Sequence, residues 1–216
     1  MRRLPMTRNV DAENRATKVG GFTLVELMVV IAIIAAIIAL VLPTLGRSRD
    51  TAKAVECQVN LREIYNSLHL YRMNRDHYPG SSGVRFFLAP WEKNEIENDP
   101  KNAKIYVCPG DENLLQLIEG DYGVVAEELE DLENFDAEFT SYAGRNQKDY
   151  PLDFNRKASQ LIVSDDDEMG MNHPNQVNVL YLDGTKDKIL LDELDGEEFV
   201  VGEDSPLEVF RVLQSD

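Results

Sequence analysis

The sequence predicts an α+β protein: one long amino-terminal helix whose second half packs on a small antiparallel β-sheet. Three observations predict it. From Phe22 to Leu45 the chain is apolar for 24 residues, with Glu26 the only charge. Apolar residues then continue, mostly at steps of three and four, as far as Tyr71. After that the pattern turns to alternation, in "ASQLIVSD" and "QVNVLYLDGTKDKIL", with Asp183-Gly184 as turn residues. A helix with one apolar face, followed by short strands, buries that face on a sheet.

The first 21 residues form a basic leader, with Arg2, Arg3, Arg8, Arg15 and Lys18 against Asp11 and Glu13. The apolar helix over 22–45 follows. At ~1.5 Å per residue it measures about 36 Å, enough for a hydrocarbon layer of about 30 Å. A helix apolar on every side must be covered all round, and the remainder of the chain is too polar to do so. It is a membrane span. Counting Lys and Arg gives five before it and four soon after it (Arg47, Arg49, Lys53, Arg62), so charge barely decides its orientation.

The segment 46–75 carries the amphipathic continuation. Ala52, Val55, Val59, Leu61, Ile64, Leu68 and Tyr71 are the expected buried face, with Arg49, Lys53, Glu56, Arg62 and Glu63 in solvent. Gly46 softens the junction, and one nearly continuous helix is expected from Phe22 to Asn74, ending before "DHYPG". His69 and His77 fall on or just past it as surface or packing residues.

Residues 76–216 form an acidic domain with 33 acidic and 11 basic residues, a net of −22 within a chain of −17. Such a body repels phosphate backbones, which argues against nucleic-acid partners. Its expected strands are "AKIYVCP", "ASQLIVSD", the hairpin closed by Asp183-Gly184, and two more in "EEFVVGEDSPLEVFRVL" around Gly202–Pro206. "NLLQLIEGDYGVVAEELEDLENF" reads as a short helix and a long acidic insertion. Cys57 and Cys108 are the only cysteines. A lone pair so spaced suits one disulfide in an oxidising compartment, the alternative being two unpaired thiols.

Candidate chemistry is sparse. No nucleophile–base arrangement, P-loop, dinucleotide fingerprint or zinc spacing stands out, so no enzyme is expected. His173 and Asp183 would lie about 30 Å apart on one extended strand and so share no site; structural roles are expected for both. Asp165, Asp166, Asp167 and Glu168 offer hard oxygen ligands to calcium, yet lack the EF-hand spacing, and acidic runs are commonly solvated surface. No other cofactor is expected.

The apolar span is too long for a secretory signal peptide, and its end, "VLPTLGRSRD", is a poor small-residue cleavage site. The small residues Gly20 and Gly21 precede it instead. A basic leader, Gly21, then Phe22 and "FTLVE" ending in Glu26, resembles the type IV prepilin-like family of pilins and type II secretion pseudopilins. The resemblance implies a pilin-like fold, cleavage between Gly21 and Phe22 by a prepilin peptidase, and methylation of the new Phe22 amino group. It also implies inner-membrane insertion as a single pass, with the leader cytoplasmic and the carboxy-terminal domain periplasmic. Sibling subunits and an inner-membrane assembly platform are then the partners. Pro43, 21 residues after Phe22, falls where prolines recur in the family's helix.

A lone carboxylate in hydrocarbon asks for a partner. In a staggered filament, Glu26 of one subunit meets the Phe22 ammonium of a neighbour and sets the register. "CQVNLREIYNSLHLYRMNRDHYPG", "YVCPGDE", "SYAGRN" and the His173-x(9)-Asp183-Gly184 spacing further resemble one bacterial branch of the family. Major pseudopilins of type II secretion hold calcium in a carboxy-terminal loop, which bears on 165–168. The competing reading is a single-pass anchored periplasmic binding domain that never polymerises.

Overall fold

The computed structural model describes residues 21–153, 160–166, 171–174, 176–190, 201–205 and 207–214. Contacts divide the chain between Thr44 and Leu45 into two compact units. Helix α1 (Leu24–Arg75) supplies the first unit and opens the second. In the first unit, Leu24–Leu42 has a mean hydropathy of 3.1 and no burial, and it is long and apolar enough to cross a membrane. The helix runs on past Pro43 without interruption.

In the second unit, α1 buries Ala54, Cys57, Leu61, Ile64, Leu68 and Tyr71. This corrects the expected face: Val55 and Val59 are 54% and 52% exposed. The face is set by residues that a count of apolar positions passes over. Cys57 bonds covalently to Cys108, and buried Asn60 donates Nδ2–H to the Val107 carbonyl at 3.0 Å. Counting back from Leu61 by four and then three leads to Cys57 and Ala54, not to Val59 and Val55.

Four short helices follow: α2 (Val84–Glu92), α3 (Pro100–Ala103), α4 (Glu112–Leu117) and α5 (Tyr122–Glu128). No element is expected from the sequence at 84–92, where a dense apolar run with an internal proline hides any period; α2 buries seven of its nine residues. The strand expected in "AKIYVCP" is instead the end of α3 and a 3₁₀ turn, Lys104–Tyr106. Asp99 accepts the Asn102 N–H at 2.8 Å and Pro100 takes the first helical position, which starts a helix where alternation suggested a strand. The acidic stretch after Gly110 is ordered by its own carboxylates. Asp111, Asp121 and Asp136 each accept a backbone N–H at the start of a helical turn, at 2.9, 2.8 and 3.0 Å.

Five described strands form one antiparallel sheet: β1 (Ala143–Arg145), β2 (Leu161–Ser164), β3 (Gln176–Tyr181), β4 (Lys186–Leu190) and β5 (Leu213–Gln214), in the order β4-β3-β2-β1-β5. The β3–β4 hairpin turns at Gly184, whose φ of 83° favours glycine. A Cβ there would also sit 2.7 Å from the Tyr65 ring of α1. Of the two strands expected near the carboxy terminus, residues 197–200 of the first lie outside the described residues, and the second is a 3₁₀ turn (Glu208–Phe210) followed by the short β5.

The sheet is covered on both faces. Leu180 and Ile162 join the α1 and α2 residues in the larger core, while Val177 and Val179 join Ala143, Phe210 and Leu213 in a smaller one. The fold is therefore α+β, helix on antiparallel sheet.

Candidate functional site

Two sites emerge, one in each unit. The first is the start of α1. Thr23 precedes the helix, and the Glu26 carboxylate reaches back to it: Thr23 N–H donates to Oε2 at 2.9 Å and the Thr23 hydroxyl donates to the same oxygen at 2.8 Å. In return Glu26 N–H donates to Thr23 Oγ1 at 3.2 Å. This is a reciprocal capping box, which satisfies amides that no helical carbonyl can reach. Thr-x-x-Glu before an apolar run is the sequence signal that marks such a helix start. Gly21 and Phe22 lie exposed in non-helical chain immediately before it. Glu26 is exposed too, so its carboxylate is held at the helix start and open to its surroundings.

The second is a buried polar cluster under the disulfide. Cys57 on α1 and Cys108 after the 3₁₀ turn are bridged, with Cα atoms 5.3 Å apart. His173 packs on the bridge. Its Nε2 lies 3.2 Å from Cys108 Sγ and 3.1 Å from Asp165 Oδ2. Both His173 and Asp165 are buried. The Asp165 carboxylate is fixed in turn by β3: Asn178 N–H donates to Oδ1 at 2.7 Å, and Asn178 Nδ2–H donates to Oδ2. Asn178 is itself tied to α1 through Gln58, whose Nε2–H donates to Asn178 Oδ1 at 3.0 Å. Burial, then the charge of Asp165, pushes the Tyr142 hydroxyl well above its ordinary pKa, so that ring stays neutral.

Sequence reasoning names Cys57, Cys108, Asp165 and His173 separately but misses Asn178 and the meeting of these groups, because 120 residues separate Gln58 from Asn178 and 65 separate Cys108 from His173. Asp165 and Asp166 are both fully buried. Asp166 Oδ1 accepts the Asn172 N–H at 2.7 Å, and its carbonyl accepts the Ser164 hydroxyl at 2.8 Å. Asp167 and Glu168 lie outside the described residues. Asp183 accepts the Thr185 N–H at 2.9 Å and shapes the hairpin turn, away from the His173 cluster. Pro43 lies within α1.

Comparison with known proteins bears on the first site. The prokaryotic N-terminal methylation motif matches residues 17–42, which span Gly21, Phe22, Thr23 and Glu26. The amino-terminal segment of the chain is thereby prepilin-like. This prepilin-like chain is 39% identical over 66 residues to type II secretion system core protein G of Escherichia coli K12, covering 30% of this chain and 46% of that protein. It is 30% identical over 60 residues to competence protein ComGC of Halalkalibacterium halodurans, covering 28% and 59%. It is 26% identical over 103 residues to the type IV wide pilus major component PilA4 of Thermus thermophilus, covering 48% and 74%. The prepilin-like chain thus spans about half the length of the first two relatives. No solved structure matches it. Family members are structural pilin and pseudopilin subunits.

Proposed function

We propose that this protein is cut between Gly21 and Phe22 by a prepilin peptidase, methylated on the Phe22 amino group, and polymerised through the 22–45 helix into a pseudopilus or pilus-like filament. The observation that carries the reading is the methylation motif set on a helix start that Thr23 and Glu26 build. Exposed, non-helical chain at Gly21 and Phe22 suits a peptidase that must bind an extended segment. Cleavage leaves an ammonium at Phe22. Glu26 of a neighbouring subunit then offers it a carboxylate whose oxygens are already oriented, and in hydrocarbon that pairing has no competing water.

The same reading inserts the chain in the inner membrane with residues 1–21 cytoplasmic and 76–216 periplasmic, delivered to the filament by an assembly platform. The His173-x(9)-Asp183-Gly184 branch belongs to it as well; its supports are the buried seat of His173 and the turn geometry at Gly184. A calcium ion near 165–168 would have to draw on Asp166 and on Asp167 and Glu168, since Asp165 is engaged with Asn178 and His173. Titration calorimetry with Ca²⁺ over a Mg²⁺ background tests it: one stoichiometric site supports the ion, and no heat removes it.

The processing step is tested by intact mass and amino-terminal sequencing of protein extracted from its native membrane. A chain starting at N-methylated Phe22 is expected. A chain still starting at Met1 in cells with an active prepilin peptidase would overturn the reading in favour of an anchored domain that never polymerises.

A further inference from the structure

Cys57, Cys108, Asp165 and His173 each present one ligand-type atom, and these atoms all lie within 4.8 Å of one another at full burial. We propose that opening the Cys57–Cys108 bridge converts this cluster into a zinc site, so that the disulfide and a Zn²⁺ ion are mutually exclusive occupants of one position. The donor set is two thiolates, one imidazole and one carboxylate, which is the chemistry of four-coordinate zinc.

Two of the ligand separations are already close to those of a zinc site. Around tetrahedral zinc, with bonds of about 2.0 Å to nitrogen or oxygen and about 2.3 Å to sulfur, ligand atoms stand about 3.3–3.8 Å apart. His173 Nε2 is 3.1 Å from Asp165 Oδ2 and 3.2 Å from Cys108 Sγ, so two edges of the tetrahedron need to open only slightly. The third change is the parting of the two sulfurs, for which Cα atoms 5.3 Å apart leave room by side-chain rotation.

The supporting groups are in place as well. Asn178 holds both oxygens of Asp165, Oδ1 through its N–H at 2.7 Å and Oδ2 through its Nδ2–H, and Oδ2 is the oxygen that also faces His173. Such outer hydrogen bonds orient metal ligands. His173 Nδ1 is buried and has no hydrogen-bond partner among the described residues. When Nε2 gives its lone pair to a metal, the ring proton moves to this Nδ1. Gly110 and His173 also line a solvent cavity of about 360 Å³ with Asp50, Lys53 and Asp111, next to the cluster. A Cβ on Gly110 would stand 2.7 Å from the His173 ring, so the glycine lets the ring pack closely against the backbone there.

The exchange balances. A dithiol reductant gives two electrons and two protons to the bridge and becomes a disulfide itself; Zn²⁺ then displaces the two thiol protons as both Zn–S bonds form. No zinc spacing shows in the sequence because its two cysteines are 51 residues apart and the other two ligands come from β2's end and the loop before β3.

The test uses the full chain in detergent micelles, reduced with a phosphine that does not bind metal, and Co²⁺ as the spectroscopic probe. The reduced chain is expected to take up one Co²⁺ with intense tetrahedral d–d absorption and a thiolate charge-transfer band, both erased by one equivalent of Zn²⁺. The oxidised chain is expected to show neither. His173→Ala and Asp165→Asn should each weaken Co²⁺ binding by more than about 10-fold, and the Cys57→Ser/Cys108→Ser chain should abolish it. Far-UV circular dichroism accompanies each titration. If reduction unfolds the chain, recovery of the native spectrum with Co²⁺ supports the site, and failure to recover overturns it. Weak octahedral absorption, an unchanged spectrum in His173→Ala, or equal uptake by the oxidised chain would also overturn it. None of these results bears on cleavage at Phe22, which is read by mass.

Discussion

Thr23 and Glu26 show how a charged side chain at the head of an apolar span serves the fold of its own helix. In the single chain Glu26 accepts two hydrogen bonds from Thr23 and so completes the helix start. The proposed function gives the same carboxylate a second task, as partner of a neighbour's amino terminus in a filament. Thr23→Ala removes one half of the box and should weaken the first turn by about 1 kcal/mol. Faster amide exchange of residues 24–27 in micelles, with the rest of α1 unchanged, is the expected readout. At Gly110 the constraint is steric: a Cβ would come within 2.2 Å of the Asn172 carbonyl oxygen. Gly110→Ala should therefore destabilise the second unit by about 1–3 kcal/mol, read as a lower urea midpoint. The carboxylate in the apolar span was legible from sequence as a group that needs a partner. The burial of Asp165 was not, because an acidic run is ordinarily hydrated and only the fold brings Asn178 and His173 to it.

At the scale of elements, α1 separates what a hydropathy pattern can and cannot tell. Its existence and length followed from 22–45 being uniformly apolar and 46–75 being periodic, and Leu24–Arg75 is the helix observed. Its buried face was misjudged over Ala52, Val55 and Val59, because a cysteine and an asparagine fix the rotation through long-range partners. The consequence is measurable. Leu61→Ala should cost about 2–5 kcal/mol, whereas Val59→Ala should stay within about 0.5 kcal/mol of the parent. Equal losses in urea unfolding would restore the face read from the apolar pattern alone. The β3–β4 hairpin was legible through its alternation and Asp-Gly turn. Strand β1 was not: three residues, Ala-Gly-Arg, are too few to carry a period and hold no large apolar side chain. It is held by its neighbours β2 and β5.

Across the whole molecule the acidic charge is not idle. Several carboxylates start helical turns, and two ion pairs tie α1 to the domain: Glu112 with Lys53 of α1 at 2.8 Å, and Glu56 of α1 with Lys104 at 2.9 Å. The hydrogen bond and charge of Lys53 hold the Glu112 carboxyl below its ordinary value of 4.5. A carboxylate lowered on folding stabilises the protein above its unfolded pKa, and that share fades as the pH falls below about 4.5. Lys53→Met should flatten this part of the acid limb of the urea midpoint, modestly because the pair is exposed, and leave neutral pH nearly unchanged. The disulfide acts at the same scale. Closing a separation of 51 residues restricts the unfolded chain by about 4 kcal/mol in the loop-entropy account.

The central claim is that the chain beginning at Phe22 assembles into filaments through Glu26. The most direct measurement compares the wild-type chain with Glu26→Ala in sheared, pelleted filaments, with membrane insertion and cleavage of both verified by fractionation and mass. The account expects both chains to be inserted and cut at Phe22, with the wild type in the filament pellet and Glu26→Ala lost from it by at least an order of magnitude. Equal amounts of both in the pellet, or a properly cut wild type that never enters a filament, would contradict it.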